Sequence, residues 1–137
     1  MKKLAFLAVM TVVLAIAPAA SASPTVRLTI LHVLQGCHVW ATNDSKALGA
    51  KRRITLPRGG KIVIRDNCTM EFDFSQVAGP KLDLGDTRTY PGTTRTIVFR
   101  KVGLYRLKAK NVESSTDMGL QTLGPDNTLV LIVRVHK

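Results

Sequence analysis

Short runs rich in β-branched and aromatic residues recur from residue 26 almost to the C-terminus, and no segment after residue 22 shows a sustained helical period. Several short strands separated by Gly, Pro, Asn and Asp turns are typical of an all-β sandwich or barrel. The sequence therefore predicts a Greek-key β-sandwich or barrel of seven to eight strands. The predicted strands are residues 26–34, 37–42, 53–56, 61–65, 70–74, 94–100, 104–109 and 128–135.

The N-terminal segment differs in composition from the rest of the chain. Two lysines precede an apolar run at residues 4–17, and the Ala-Ser-Ala that ends at Ala22 has the small-x-small form that signal peptidases accept. The run is shorter than the ~20 apolar residues of a spanning helix. We therefore expect residues 1–22 to be a cleaved signal peptide and residues 23–137 to form one domain. The mature protein is then periplasmic or secreted, and it does not span a membrane.

The chain is strongly basic, with 20 Lys and Arg against 9 Asp and Glu. Many of these cations alternate along predicted strands, which favours the solvated outer face of a sandwich. Aromatic residues make up only 5% of the chain, too few to interleave with the cations as nucleic-acid binding requires, so we expect no nucleic-acid partner. The one cationic run, Lys51-Arg52-Arg53, is the predicted contact for an acidic protein or an anionic membrane. The cations interpreted as outward-facing are Arg95, Arg100, Arg106, Lys108 and Arg134.

Motifs of enzyme chemistry are absent from the sequence. It contains no Gly-x-Ser-x-Gly elbow, no phosphate-binding Gly loop and no His-Glu-x-x-His. His32 lies within an apolar strand and His136 lies beside the C-terminus, and we interpret both as structural or incidental. Glu71 and Asp73 are neighbours on one strand face, which is more typical of a surface than of an acid/base pair. We therefore expect a binding or electron-transfer protein rather than an enzyme.

Sulfur and imidazole side chains lie beside the predicted turns. Cys37 directly precedes His38, Cys68 lies two residues before Met70, and Met118 lies in the irregular stretch before the last strand. Cysteine, histidine and methionine together favour copper, Cu(I) in particular. In an oxidising compartment the two cysteines would instead form a disulfide, closing a loop of about thirty residues and stabilising the fold by ~3 kcal/mol. Both uses of the sulfurs stay open.

Three segments resemble cupredoxins in their order and spacing. Residues 56–67 resemble the Pro-Gly turn and strand that lead to an Asn at the metal end of that family. Residues 90–99 resemble the family's next Pro-Gly turn and strand, and residues 102–107 resemble its Gly-x-Tyr strand, which runs back to the copper. The resemblance extends from residue 26 to residue 135 and implies a cupredoxin-like fold for the whole mature domain.

The resemblance departs from the family at the usual copper ligands. Met70-Glu71 stands where members similar to plastocyanin carry a His, and Ala109 stands where they carry a Cys. The following loop offers Met118 in place of a His. The family's topology implies that another set of ligands gathers at the same pole of the domain. This set is His38, Cys68, Met70, Met118 and, as an assisting ligand, Cys37.

Two functions follow from this resemblance. The first is an exported copper-binding cupredoxin-like protein that stores or delivers copper, or transfers electrons. It would bind Cu(I) or Cu(II), and its partner would be a redox protein or a copper-delivery protein. The alternative is a metal-free module, clamped by a Cys37–Cys68 disulfide, that binds a protein or an anionic membrane through Lys51, Arg52 and Arg53.

Overall fold

Ten β-strands are present in the described part of the chain. The computed structural model describes residues 22–33, 37–112 and 128–137, with the backbone alone at Cys37. Nearly all of the predicted signal peptide, the side chain of Cys37 and the whole of Met118 lie outside the described residues. The strands are β1 (Thr25–Val33), β2 (Cys37–Ala41), β3 (Ala47–Gly49), β4 (Lys51–Pro57), β5 (Lys61–Asp66), β6 (Phe72–Ala78), β7 (Arg88–Thr89), β8 (Thr94–Val98), β9 (Gly103–Asn111) and β10 (Thr128–His136).

The strands form two five-stranded mixed sheets. Sheet A has the order β3-β2-β1-β5-β8, and sheet B has the order β4-β10-β9-β6-β7. One parallel pair lies in each sheet, β1 with β5 and β10 with β4, and the other neighbours are antiparallel. This architecture confirms the predicted all-β sandwich. The strands that the sequence missed, β3 and β7, are three and two residues long, too short to show an alternating pattern.

Alternation along the strands builds the core between the sheets. In β9, Tyr105 and Leu107 are buried, whereas Arg106 and Lys108 are exposed as predicted. The Trp40 indole N–H on β2 donates to the Val130 carbonyl oxygen on β10 at 3.0 Å, so a buried side chain also joins the two sheets by a hydrogen bond. Burial of each large apolar side chain stabilises the fold by about 1.5–3 kcal/mol. The most voluminous fully buried side chains are Trp40, Tyr105, Phe72, Phe74 and Phe99.

Arg95 does not face outward as the sequence suggested. It shares the core-facing side of β8 with buried Ile97 and is itself half-buried. Its guanidinium carbon lies 4.4 Å from the centre of the Phe74 ring, and its N–H groups donate to the carbonyl oxygens of Asp86 and of Thr87, the latter at 2.9 Å. The prediction that Arg95 faces outward was wrong because it was based on the charge of the side chain. Arg95 is two residues from buried Ile97, and alternate residues of a strand face the same side.

No helix within the described ranges has the length and apolar composition needed to cross a membrane.

Gly79 directly follows β6, and its backbone lies in close contact with the backbone of β9. Its φ of +105° is a conformation that side chains rarely adopt, and an added Cβ would lie 2.6 Å from the Leu104 carbonyl oxygen and 2.9 Å from the Tyr105 Cα. Both contacts are with backbone, which cannot move aside cheaply. The Tyr105 hydroxyl donates to the Lys101 carbonyl oxygen at 2.6 Å, so the backbone that Gly79 approaches is itself held in place.

Gly79→Ala is expected to lower the free energy of unfolding by about 3 kcal/mol, the combined cost of backbone strain and overpacking. Gly85→Ala is the matched control, because Gly85 also has a positive φ of +58° but an added Cβ would meet nothing within 4 Å. Backbone strain alone predicts a loss of about 1 kcal/mol there. Urea unfolding of both variants measures the difference, and equal losses would contradict the close approach at Gly79.

Candidate metal centre

The parallel pairing of β1 with β5 brings two chain ends together at one pole of the sandwich. Ile30 lies opposite Asp66, and the Asn67 N–H donates to the Ile30 carbonyl oxygen at 3.0 Å. Cys68 follows directly, so it lies beside the last residues of β1 although it is more than thirty positions away in sequence. His32 is two residues beyond Ile30 and therefore on the same side of β1.

Antiparallel pairing of β1 with β2 adds a second imidazole. His32 and His38 are directly opposite each other in the register. Since directly opposite residues project to the same face of a sheet, the rings meet, with centres 5.2 Å apart and His32 Nδ1 lying 3.4 Å from His38 Nε2. His38 also shares its face of β2 with the buried Trp40, so the second imidazole projects toward the core.

His32, His38 and Cys68 form a cluster of three metal-binding side chains. One ligand atom of each lies within 4.8 Å of the other two. His38 and Cys68 are buried, with 1% and 4% of their surfaces exposed, whereas His32 is exposed. The cluster therefore lies at the rim of the core, with one imidazole in contact with solvent.

Backbone hydrogen bonds fix the position of the cysteine sulfur. The buried Asp66 carboxylate accepts a hydrogen bond from the Cys68 N–H at 3.0 Å, which holds the turn after β5. The Met70 N–H donates to Cys68 Sγ at 3.2 Å. This contact helps to hold the sulfur in position, and the thiolate is the form of cysteine that binds metals. The Met70 thioether itself accepts a hydrogen bond from the Asn111 side-chain amide at 2.7 Å.

His38 is held neutral by its surroundings. Burial lowers its pKa from 6.5 to about 4, and repulsion by a charged His32 adds to the effect. Its ring meets the Phe72 ring almost at a right angle, with ring centres 5.2 Å apart. His38 Nδ1 is buried and has no hydrogen-bond partner among the described residues. A neutral imidazole with an unused ring nitrogen is the state that a metal ligand requires.

The structure brings together two of the ligands that the sequence predicted, His38 and Cys68. Met70 is connected to Cys68 through its backbone, and the Cys37 side chain and Met118 lie outside the described residues. His32 was missed, because it was interpreted as an ordinary strand residue. The signal that could have revealed it is the position of His32 and His38 at nearly equal distances from the midpoint between two predicted strands, since antiparallel pairing of those strands places such residues opposite each other.

The cationic run Lys51-Arg52-Arg53 lies on β4, at the edge of sheet B, and all three side chains are exposed. It contributes no residue to the histidine–cysteine cluster.

Comparison with known proteins gives a likeness in fold. No protein-family model and no curated protein matches the chain. A multicopper oxidase from Campylobacter jejuni, described as a metallo-oxidase, is 13% identical with a TM-score of 0.47, and the match covers 82% of this chain and 26% of the oxidase. This chain thus spans about a quarter of that protein.

Two smaller proteins also match. A purple cupredoxin from Nitrosopumilus maritimus is 11% identical with a TM-score of 0.44, over 79% of this chain and 98% of the cupredoxin. A reduced Cu(I) form of an amicyanin variant is 13% identical with a TM-score of 0.39, over 84% of this chain and 87% of the amicyanin. All three likenesses have TM-scores below 0.5 and identities of 11–13%.

The metal-free protein is expected to lose stability as the pH falls from about 6.5 to about 4, because of His38. Its pKa is about 4 in the folded state against 6.5 for an ordinary histidine, so the unfolded chain takes up this proton first. The stabilising contribution is therefore complete above pH 6.5 and is lost as the pH falls through the folded pKa. The whole shift corresponds to roughly 3 kcal/mol. Urea unfolding across this pH range measures it.

Carboxylates also titrate toward the acid end of that range, so the informative quantity is the difference between the protein and a variant. His38→Gln should flatten the pH dependence, whereas His136→Gln, an exposed residue near the end of β10, should leave it unchanged. An unaltered pH dependence in His38→Gln would show that His38 is not buried as a neutral group.

Proposed function

We propose that this protein binds copper through His32, His38 and Cys68. The observation that carries the proposal is the convergence of their ligand atoms within 4.8 Å at one pole of the sandwich. Two imidazoles and one thiolate are the donors of His₂Cys copper sites, which use a weak axial methionine as a further ligand. The same donor chemistry is assembled here from sequence positions different from those of the plastocyanin-like pattern.

The surroundings of the cluster fit copper. The buried His38 Nδ1 has no hydrogen-bond partner among the described residues, so a bound cation could satisfy the imidazole. The Met70 N–H that donates to Cys68 Sγ helps to hold the sulfur in position for a metal. Zinc also binds imidazole and thiolate, through four such donors in structural sites and through three donors and a water in catalytic sites. Two imidazoles with one thiol match the His₂Cys donor set of copper sites, and this match is the ground for proposing copper.

The exposure of His32 suits an exchange of electrons or copper with a partner, because one ligand of an otherwise buried set reaches the surface. We propose electron transfer or copper delivery outside the cytoplasm, in keeping with the signal-like segment at residues 1–22. When bound, copper would supply one-electron redox chemistry. The chain's own residues would hold the ion, limit the access of water and keep the imidazole of His38 unprotonated.

Cu(I) titration against a competing chelator tests the site. We expect one Cu(I) per chain, and His32→Ala, His38→Ala and Cys68→Ser should each weaken binding by at least about 100-fold, since even the loss of an outer-shell partner costs 10–100-fold. His136→Ala is the matched control and should bind like the unmodified protein. Unchanged affinity in all three cluster variants would overturn the proposal.

Cu(II) addition separates the two roles. Electron transfer predicts that Cu(II) also binds and gives an intense visible charge-transfer band, which disappears on reduction and in Cys68→Ser. Storage or delivery of Cu(I) predicts tight Cu(I) binding with no such band.

A disulfide between Cys37 and Cys68 would compete for the same sulfur. Copper binding through Cys68 predicts two reactive thiols per chain when the protein is purified from its native compartment and unfolded without a reductant. A thiol count of zero would contradict the thiolate ligand and would favour the metal-free, disulfide-clamped module.

A further inference from the structure

The outer face of sheet B carries a concentrated array of cations. On β4, β10 and β9 the residues that alternate with the buried ones project outward. We call this surface the basic face. Its exposed cations are Lys51, Arg53, Arg134, Arg106, Lys108 and Lys110.

The strand register places these cations in rows. Val130 on the central strand β10 lies between Lys51 on β4 and Lys108 on β9. In the next row, Ile132 lies between Arg53 and Arg106. Cations across a row are therefore about 10 Å apart, and cations two residues apart on one strand are about 7 Å apart. Since these spacings are close to the ~8 Å Debye length at physiological ionic strength, their potentials add.

Few acidic residues accompany these cations within the described chain. No acidic residue projects from the described parts of β4, β9 or β10, and none of the six cations has an ion-pair partner among the described residues. Asp73 on β6, opposite Lys110, is the carboxylate at the border of the face. The ion pair that the described part of the chain does contain, Arg88 with Glu71 at 3.6 Å, includes none of the six cations, and Arg88 lies opposite Asp73 at the same border. Like charges collected on one surface cost stability unless a polyanion covers them.

We propose that the basic face docks on a lipid bilayer with anionic headgroups. This inference does not depend on the metal. The face is a sheet surface whose exposed apolar atoms are aliphatic, from half-buried Val130 and Ile132 and from Leu104, which is 55% exposed. It presents no Trp, Tyr or Phe among its described residues, whereas protein interfaces use such anchors at their centre. A bilayer offers many anions over an area without requiring a matched shape, and long Lys and Arg side chains suit it.

The structure also revises the predicted contact. Lys51 and Arg53 belong to the basic face, but Arg52 lies opposite the buried Leu131 and so belongs to the other side of β4. The basic face extends from the edge strand β4 across β10 to β9. The sequence alone did not indicate that the cations of β9 lie near Lys51 and Arg53.

Vesicle binding tests the proposal, using the chain from Ser23, which contains all of the described strands. The probes are vesicles of phosphatidylglycerol with phosphatidylcholine and vesicles of pure phosphatidylcholine, both at physiological salt. We expect binding to the anionic vesicles alone. Each cation near an anionic surface contributes about a fivefold factor to partitioning, so Arg106→Gln with Lys108→Gln should weaken binding by about 25-fold.

The matched control removes the same charge from sheet A. Arg27 on β1 and Arg65 on β5 are exposed on the outer face of sheet A. The double variant Arg27→Gln with Arg65→Gln should weaken binding less than about threefold. Thermal unfolding and circular dichroism confirm that both double variants fold. Equal losses in the two pairs would overturn the proposal, since net charge alone would then explain binding. Absence of binding to anionic vesicles, or tighter binding to polyglutamate at equal charge concentration, would also overturn it, and the latter would identify an acidic protein partner.

Discussion

The parallel pairing of β1 with β5 is the constraint on which the candidate site depends. Parallel strands end at the same edge of a sheet, so the turn after β5 is brought beside the end of β1. The hydrogen bond from the Asn67 N–H to the Ile30 carbonyl oxygen fixes this junction at 3.0 Å. The antiparallel pairing of β1 with β2 then places His38 directly opposite His32. Neither pairing alone would place a thiol beside two imidazoles, and a slip of one residue in either register would turn a ligand to the other face.

Packing between the sheets determines the protonation state of this group. Phe72, from sheet B, packs against the His38 ring on sheet A, and the Trp40 hydrogen bond to Val130 joins the same strand to the opposite sheet. His38 is a polar ring within the core, and its burial lowers its pKa to about 4. A leucine or phenylalanine there would remove the cost of burying that ring. A buried neutral imidazole whose Nδ1 has no partner among the described residues therefore supports the proposal of a ligand at this place.

Alternating apolar residues were sufficient to predict the eight longer strands, the all-β class and most outward-facing cations, because burial imposes a period of two. The same reasoning missed β3 and β7, which are too short to show a period, and misplaced Arg95, whose stem and charge are accommodated by Phe74 and backbone carbonyl oxygens. His38 and Cys68 were selected as candidates by their chemistry, and the structure places them in one cluster. His32 required the register of β1 with β2, which a sequence pattern does not show, although the two histidines are only six residues apart. The basic face required the order of the strands in sheet B, which is set by contacts distant in sequence. The roles of His38, Cys37, Cys68, Met70 and Met118 as ligands stay predictions.

The cations lie on the outer surface of sheet B, whereas the histidine–cysteine cluster lies at one pole between the sheets. We propose that His32, His38 and Cys68 bind a copper ion together, and X-ray absorption spectroscopy at the copper edge of the Cu(I)-loaded protein is the decisive measurement. We expect a first shell with two imidazole nitrogens and at least one sulfur, and the loss of one imidazole in His38→Ala. A first shell without sulfur, or one unchanged in His38→Ala, would contradict it.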